Sequence, residues 1–178
     1  MTTGRPRIAL VPEDRKAEGL FLPMSVRQNM TLPVLGNLGR LGYLDFSRET
    51  QTVQRMIGQL DIRTPGPDQA VGALSGGNQQ KVLIGRWLLT EASILLLYDV
   101  TRGVDVATKH DIYHLVTRLG AEGRAILYYS SDTAEVAHLC HRVLVMREGR
   151  IATELRSPGI TADALVRASL QVGVEASA

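Results

Sequence analysis

The chain has one cysteine, Cys140, in 178 residues. No internal disulfide can form, which suits a reducing compartment. No uncharged run approaches the about 18 apolar residues that a membrane helix needs, so any membrane role is expected to run through a partner. The first seven residues lack the apolar core of a secretory leader. No Gly-Lys pair occurs anywhere. The nucleotide cradle Gly-x-x-x-x-Gly-Lys-Ser/Thr is therefore absent from these residues. Net charge is only +2, with 20 Lys and Arg against 18 Asp and Glu, scattered along the chain. A nucleic-acid partner is not expected.

What is present is enough sequence for one domain with a core. Hydrophobic residues make up 44% and charged residues 21%, ordinary for a globular protein. The most informative stretch is Leu74-Ser75-Gly76-Gly77-Asn78-Gln79-Gln80-Lys81. Ser75 is a good N-cap, and Val82, Leu83, Trp87 and Leu88 follow with helical periodicity. A helix start has unpaired N–H groups and the positive end of the helix dipole. Without Cβ atoms at Gly76 and Gly77, an anion such as a phosphate can approach closely. An ordinary capped helix has the same local pattern.

Around this stretch the order of elements reads as α/β. Ile8–Val11 is a short strand closed by Pro12. Glu13 to Lys16 is a charged turn, and Ser25 caps a short helix. Residues 33 to 45 are too rich in glycine for a helix. Ser47 is expected to open the next helix, which Thr64-Pro65-Gly66-Pro67 ends. Ile94–Tyr98 is a continuous apolar strand, the pattern of a parallel strand covered on both faces. Asp99 stands at its C-terminal end, where α/β sheets place ligand-binding groups. A helix from Val106, a strand over 124–129, a short helix over 134–139, a hairpin turning at Gly149 and a last helix capped by Thr161 complete the pattern. The tail 171–178 is expected to be disordered.

Residues 74–81 resemble the signature motif of ABC-type ATPases, in the form found in sugar importers. Pro12-Glu13-Asp14-Arg15-Lys16 resembles the Q-loop region of the second nucleotide-binding domain of those importers, with Glu13 where most members have glutamine. Thr101-Arg102-Gly103-Val104-Asp105 resembles the D-loop. The resemblance runs from residue 8 to about 170. It implies a P-loop NTPase-like parallel sheet with a helical subdomain over about 25–90, in a single truncated nucleotide-binding domain over 1–178. It also implies that Ser75, Gly76, Gly77 and Gln79 meet the γ-phosphate of ATP held by an opposite domain, with Glu13 and Asp105 contributing to nucleotide binding.

The end of the strand at 98–100 departs from the family's pattern. Counting back from the D-loop, Asp99 falls on the catalytic glutamate, Tyr98 on the metal-side aspartate and Val100 on a proline; sliding Asp99 onto the metal position leaves Val100 at the catalytic one, and either way one carboxylate is lost. A phenol is a poor Mg²⁺ ligand, so no metal site is expected within the chain. Ser131 falls on the switch histidine, where the second domain of sugar importers commonly has serine.

The resemblance therefore implies an ATP-binding subunit, or part of one, of a monosaccharide importer. ATP and Mg²⁺ would act only in an assembly with a domain bearing the phosphate loop. The implied partners are a second ABC ATP-binding domain and the membrane permease subunits, with a cytoplasmic location on the inner face of the membrane. The alternative is a catalytically silent remnant or interaction module. His110 and His114, four apart on a helix, could share an ion but have no evident third ligand, and a short helix cannot turn His138, Cys140 and His141 to one ion; they read as surface histidines and a packed thiol. Trp87 reads as core.

Overall fold

The computed structural model describes residues 7–40 and 43–170. The tail 171–178 lies outside the described residues. Two compact units divide the chain, residues 1–127 and 128–178.

In the first unit, β1 (Ile8–Val11) pairs in parallel with β4 (Ile94–Tyr98), Ile8 beside Ile94 and Val11 beside Leu97. A third strand, β5 (Ala125–Tyr129), extends the sheet in the order β1-β4-β5. Its last two residues belong to the second unit. The apolar runs form strands because alternate side chains reach a core. Ala9, Val11, Leu95 and Leu97 are buried, and α3 (Gly76–Leu88) packs on β1. The opposite face is not covered. Ile8 is 62% exposed, Leu10 50% and Leu127 64%. Here the structure corrects the expectation that Ile94–Tyr98 is covered on both faces: Leu95 and Leu97 are buried, while Ile94 and Leu96 are only partly so. An apolar run reports what a strand can bury, not what chain is at hand to cover it.

The helical part of the first unit comprises α1 (Val26–Thr31), α2 (Phe46–Gln59) and α3. Ser25 caps α1 in a full capping box with Gln28, as the sequence suggests. A 3₁₀ turn (Leu32–Asn37) follows, then a minimal antiparallel pair, β2 (Gly39–Arg40) and β3 (Tyr43–Leu44). α2 begins two residues earlier than Ser47 would place it. Asp45 is the cap, its carboxylate accepting from the Arg48 amide at 3.0 Å. Both residues suit a cap. The helix is pinned from within by Glu49, buried, which accepts from the Thr31 hydroxyl at 2.6 Å and pairs with Arg27 at 2.7 Å.

α4 (Val106–Ala121) follows the D-loop stretch, burying Ile112, Leu115, Val116 and Leu119. The second unit contains α5 (Thr133–Leu139), the antiparallel hairpin β6 (Arg142–Arg147) and β7 (Arg150–Arg156), and α6 (Ala162–Leu170). Gly149 turns the hairpin at φ +77°, a conformation that suits glycine. Thr161 accepts from the Ala164 amide at 3.1 Å. Val145, Ile160 and Leu165 form the unit's small core. Among the described residues, no helix is long and apolar enough to cross a membrane.

Candidate functional site

Parallel neighbours β1 and β4 deliver their following loops, 12–16 and 99–105, to the same end of the sheet. That is the end where α/β sheets bind ligands. The N-terminus of α3 arrives at these loops as well. The chain before α3 is stitched to the loop after β1: the Val71 amide donates to the Met24 carbonyl at 3.0 Å, and Gly72 to Leu22 at 2.9 Å.

Ser75 is the N-cap of α3, with extended dihedrals. Its hydroxyl oxygen accepts from the Asn78 amide at 3.4 Å and side chain at 2.9 Å. The glycines after it serve packing. A Cβ on Gly76 would stand 2.6 Å from Arg15 Nη2, and one on Gly77 would stand 2.3 Å from Thr108 Oγ1. The first turns of α3 and α4 therefore touch backbone to side chain. Thr108 is fixed in turn by Asp105, the N-cap of α4, which accepts from its amide and its hydroxyl, both at 2.9 Å. Those two bonds hold the Asp105 carboxyl below its ordinary range. We expect Gly77→Ala to destabilise the fold by about 1–3 kcal/mol through overpacking. Thr108→Ala, which removes the two closest atoms, should recover part of that loss. Equal chemical-denaturation midpoints for wild type and Gly77→Ala would refute the contact.

Arg15 joins three of the stretches singled out in the sequence. It lies in a single π-helical turn (Arg15–Gly19) capped by Asp14, which accepts from the Lys16 and Ala17 amides at 2.9 and 3.0 Å. Arg15 Nη1 donates to the Arg102 carbonyl at 3.3 Å, and Nη2 lies over Gly76. Its buried Nε has no partner among the described residues. Glu13 forms an ion pair with Arg102. Together Glu13, Asp14, Arg15, Lys16 and Arg102 line a cavity of about 290 Å³. Sequence periodicity gives no hint of Arg15's position, because 87 residues separate it from its hydrogen-bond partner.

The remaining predicted residues are placed as follows. Asp99 is 4% exposed and sits at φ +47°, a left-handed conformation uncommon for residues other than glycine. Its carbonyl accepts from the Arg102 amide at 3.0 Å. Val100 is buried, and Tyr98 is partly exposed at the end of β4. Gln79 is turned inward at 5% exposure, its amide donating to the Leu74 and Val71 carbonyls at 3.1 and 3.3 Å. Ser131 belongs to the second unit and is exposed, just before the Asp132 cap of α5. The structure thus brings Ser75, Gly76, Arg15, Glu13 and the D-loop together and turns Gln79 into the core.

Among the described residues, no three His, Cys, Asp or Glu side chains converge as a metal site would require. His110 and His114 are exposed, as are His138 and His141. Partial burial raises the Cys140 thiol above its ordinary value. Trp87 is half-buried.

Comparison with known proteins gives the frame for this geometry. The profile of the ABC transporter family matches residues 1–102. The ribose import ATP-binding protein RbsA 1 of Mesorhizobium japonicum is 47% identical over 170 residues, 96% of this chain and 33% of that protein. RbsA 2 of Streptomyces coelicolor is 46% identical over 159 residues, 89% of this chain and 31% of that protein. The chain thus spans about a third of the length of these curated relatives. Among solved structures, a dimeric ATP-binding cassette in a post-hydrolysis state, bound to ADP and Pi, superposes with a TM-score of 0.71 at 18% identity. It covers 86% of this chain and 64% of its own. A dimeric bacterial ABC transporter cassette superposes at 0.70 with 21% identity and the same coverage. The fold is therefore that of the ATP-binding cassettes, and the chain belongs to the ABC transporter family.

Proposed function

We propose that this chain is the signature-bearing part of an ATP-binding subunit of a sugar importer, and that it offers the N-terminus of α3 in trans to ATP held by another domain. The carrying observation is the arrangement at that terminus. Ser75 caps the helix, and the Arg15 guanidinium packs over Gly76 in the space a side chain would take. A helix N-terminus and a cation side by side form a locally positive surface, which a terminal phosphate suits. Bound ATP with Mg²⁺ would supply the phosphoryl group. The roles of this chain's residues are to present donors at Ser75 and Gly76 and to position them through Arg15 and the Gly77–Thr108 contact.

Residues in cis do not fit Mg-ATP as well. Tyr98 stands at the position where a carboxylate would hold the metal, and no Gly-Lys pair exists among the 178 residues. Asp99, at the catalytic-glutamate position, is buried in the turn after β4. The phosphate cradle is accordingly assigned to polypeptide outside these residues, and the exposed sheet face offers a surface for it to pack on. Glu13, bridged to Arg102, would report the nucleotide state to the D-loop. Ser131 takes the switch position without a titratable ring. The sugar is assigned as ribose or a related monosaccharide on the strength of the relatives' names. The proposed partners are a second ATP-binding domain and membrane permease subunits, which would hold the chain at the cytoplasmic face.

The first test is calorimetry of the isolated chain with Mg-ATP. Mg-ATP is expected to bind no more tightly than inorganic tripolyphosphate, since most donors of a nucleotide site come from the cradle. Saturable micromolar Mg-ATP binding that tripolyphosphate does not displace would refute the trans assignment. It would favour an independent nucleotide site.

A further inference from the structure

At the opposite end of the sheet, away from the signature helix's N-terminus, lies the largest of the described cavities of the first unit, about 590 Å³. Its size falls in the range of small-molecule sites. One wall is α2, where Arg48, Thr52, Arg55 and Gln59 recur at steps of four, three and four and so share a face. The other wall carries Arg7, Arg118 and Arg124. Buried Leu38, Met56 and Leu119 also contribute to a lining that is mostly polar.

Five guanidiniums line this cleft against two carboxylates, Glu91 and Glu122. Glu122 is already 3.9 Å from Arg118. Arg7 and Arg124 are held by backbone carbonyls, those of Thr90 at 3.1 Å and Ala92 at 2.9 Å. Each of those contacts uses one of the five N–H donors that a guanidinium has. The side chains of Arg48 and Arg55 make no ion pair among the described residues. Like charges on facing walls repel, and the two carboxylates of the lining do not balance five guanidiniums. Elsewhere in the same unit the chain does provide counter-ions: Arg27 has Glu49 and Asp68, and Lys81 has Asp111. The cleft is the exception.

We propose that this cleft is a binding site for a small soluble anion bearing two or more phosphates, separate from the signature site and independent of its assigned role. Guanidinium forks match phosphate oxygens in pairs, and walls on both sides favour several phosphates over one. Arg48 and Arg55 supply the free forks, and Arg7 and Arg124 form the pre-positioned wall.

Calorimetry with inorganic tripolyphosphate tests the assignment on the 178-residue chain. Binding at one site is expected, weakening as salt rises, with orthophosphate at least tenfold weaker. Arg48→Ala with Arg55→Ala should weaken tripolyphosphate at least tenfold while leaving the circular dichroism spectrum and melting temperature unchanged. Arg15→Ala should leave the affinity as it is. Three results would overturn the proposal. The first is no binding at millimolar tripolyphosphate. The second is loss of binding in Arg15→Ala but not in the α2 double variant, which would lodge the anion at the signature site. The third is tighter binding of a hexaglutamate peptide than of tripolyphosphate, which would make the cleft a docking site for acidic protein.

Discussion

Arg86→Ala is expected to destabilise the chain by about 3–5 kcal/mol, a large share of the about 5–15 kcal/mol that holds a typical domain folded. Arg86 is buried on α3. Its Nε donates to the Asn29 carbonyl at 2.7 Å, one Nη to the Asn29 side-chain oxygen at 2.7 Å, and the other to the Gly19 carbonyl. Asn29 in turn donates to the carbonyls of Phe21, Met24 and Ser25 at 2.9, 3.2 and 3.0 Å. One guanidinium therefore ties the signature helix to α1 and to the loop after β1. Burial lowers the pKa of Arg86, which marks the cost of desolvating the charge. Without the side chain, two buried carbonyls lose their donor and a cavity opens. Arg86→Lys should recover little, because an ammonium cannot span the same three acceptors. Arg55→Ala, on an exposed surface, should stay within about 0.5 kcal/mol of wild type. Urea titrations of the three variants decide the matter. A loss below about 1 kcal/mol for Arg86→Ala would show that the network is dispensable.

The second large effect concerns the bare face of the sheet. Parallel sheets are almost always covered on both sides, yet Ile8, Leu10 and Leu127 are each at least half exposed. The isolated chain should therefore associate and bind a hydrophobic dye. Replacing all three by threonine keeps strand propensity and should change stability little, since these side chains bury little to begin with. Light scattering should then show a monomer at concentrations where wild type associates, and dye fluorescence should fall severalfold. A wild-type chain that is monodisperse and dye-silent would mean that the face is closed in solution by some other part of the protein.

The strands at 8–11 and 94–98, the caps Ser25, Ser75 and Thr161, and the hairpin turn at Gly149 are legible in the sequence because each is a local signal. A cap needs only its own third neighbour, and a buried strand needs only its own side chains. Asp45 and Ser47 are both good caps, and local sequence does not rank them. The glycine pair 76–77 reads locally as an open approach for an anion. In the fold it also admits Arg15 and Thr108, residues 61 and 31 positions away in the chain. The Arg86–Asn29 contact spans 57 residues and leaves no periodic trace. The arginine cleft is equally hidden, because its residues come from five separate segments of scattered charge.

The most direct measurement is phosphate release by a phosphate-loop-bearing cassette from the same importer, alone, with this chain, and with its Ser75→Arg variant. The arginine would project into the surface where the terminal phosphate is assigned. Losing one pre-positioned donor of this kind costs on the order of 100-fold in rate. This chain should raise the rate above that of the cassette alone, and the Ser75→Arg chain should return it to the unassisted level while still binding the cassette. Equal rates with the wild-type and Ser75→Arg chains would contradict the assignment of α3 to ATP held in trans.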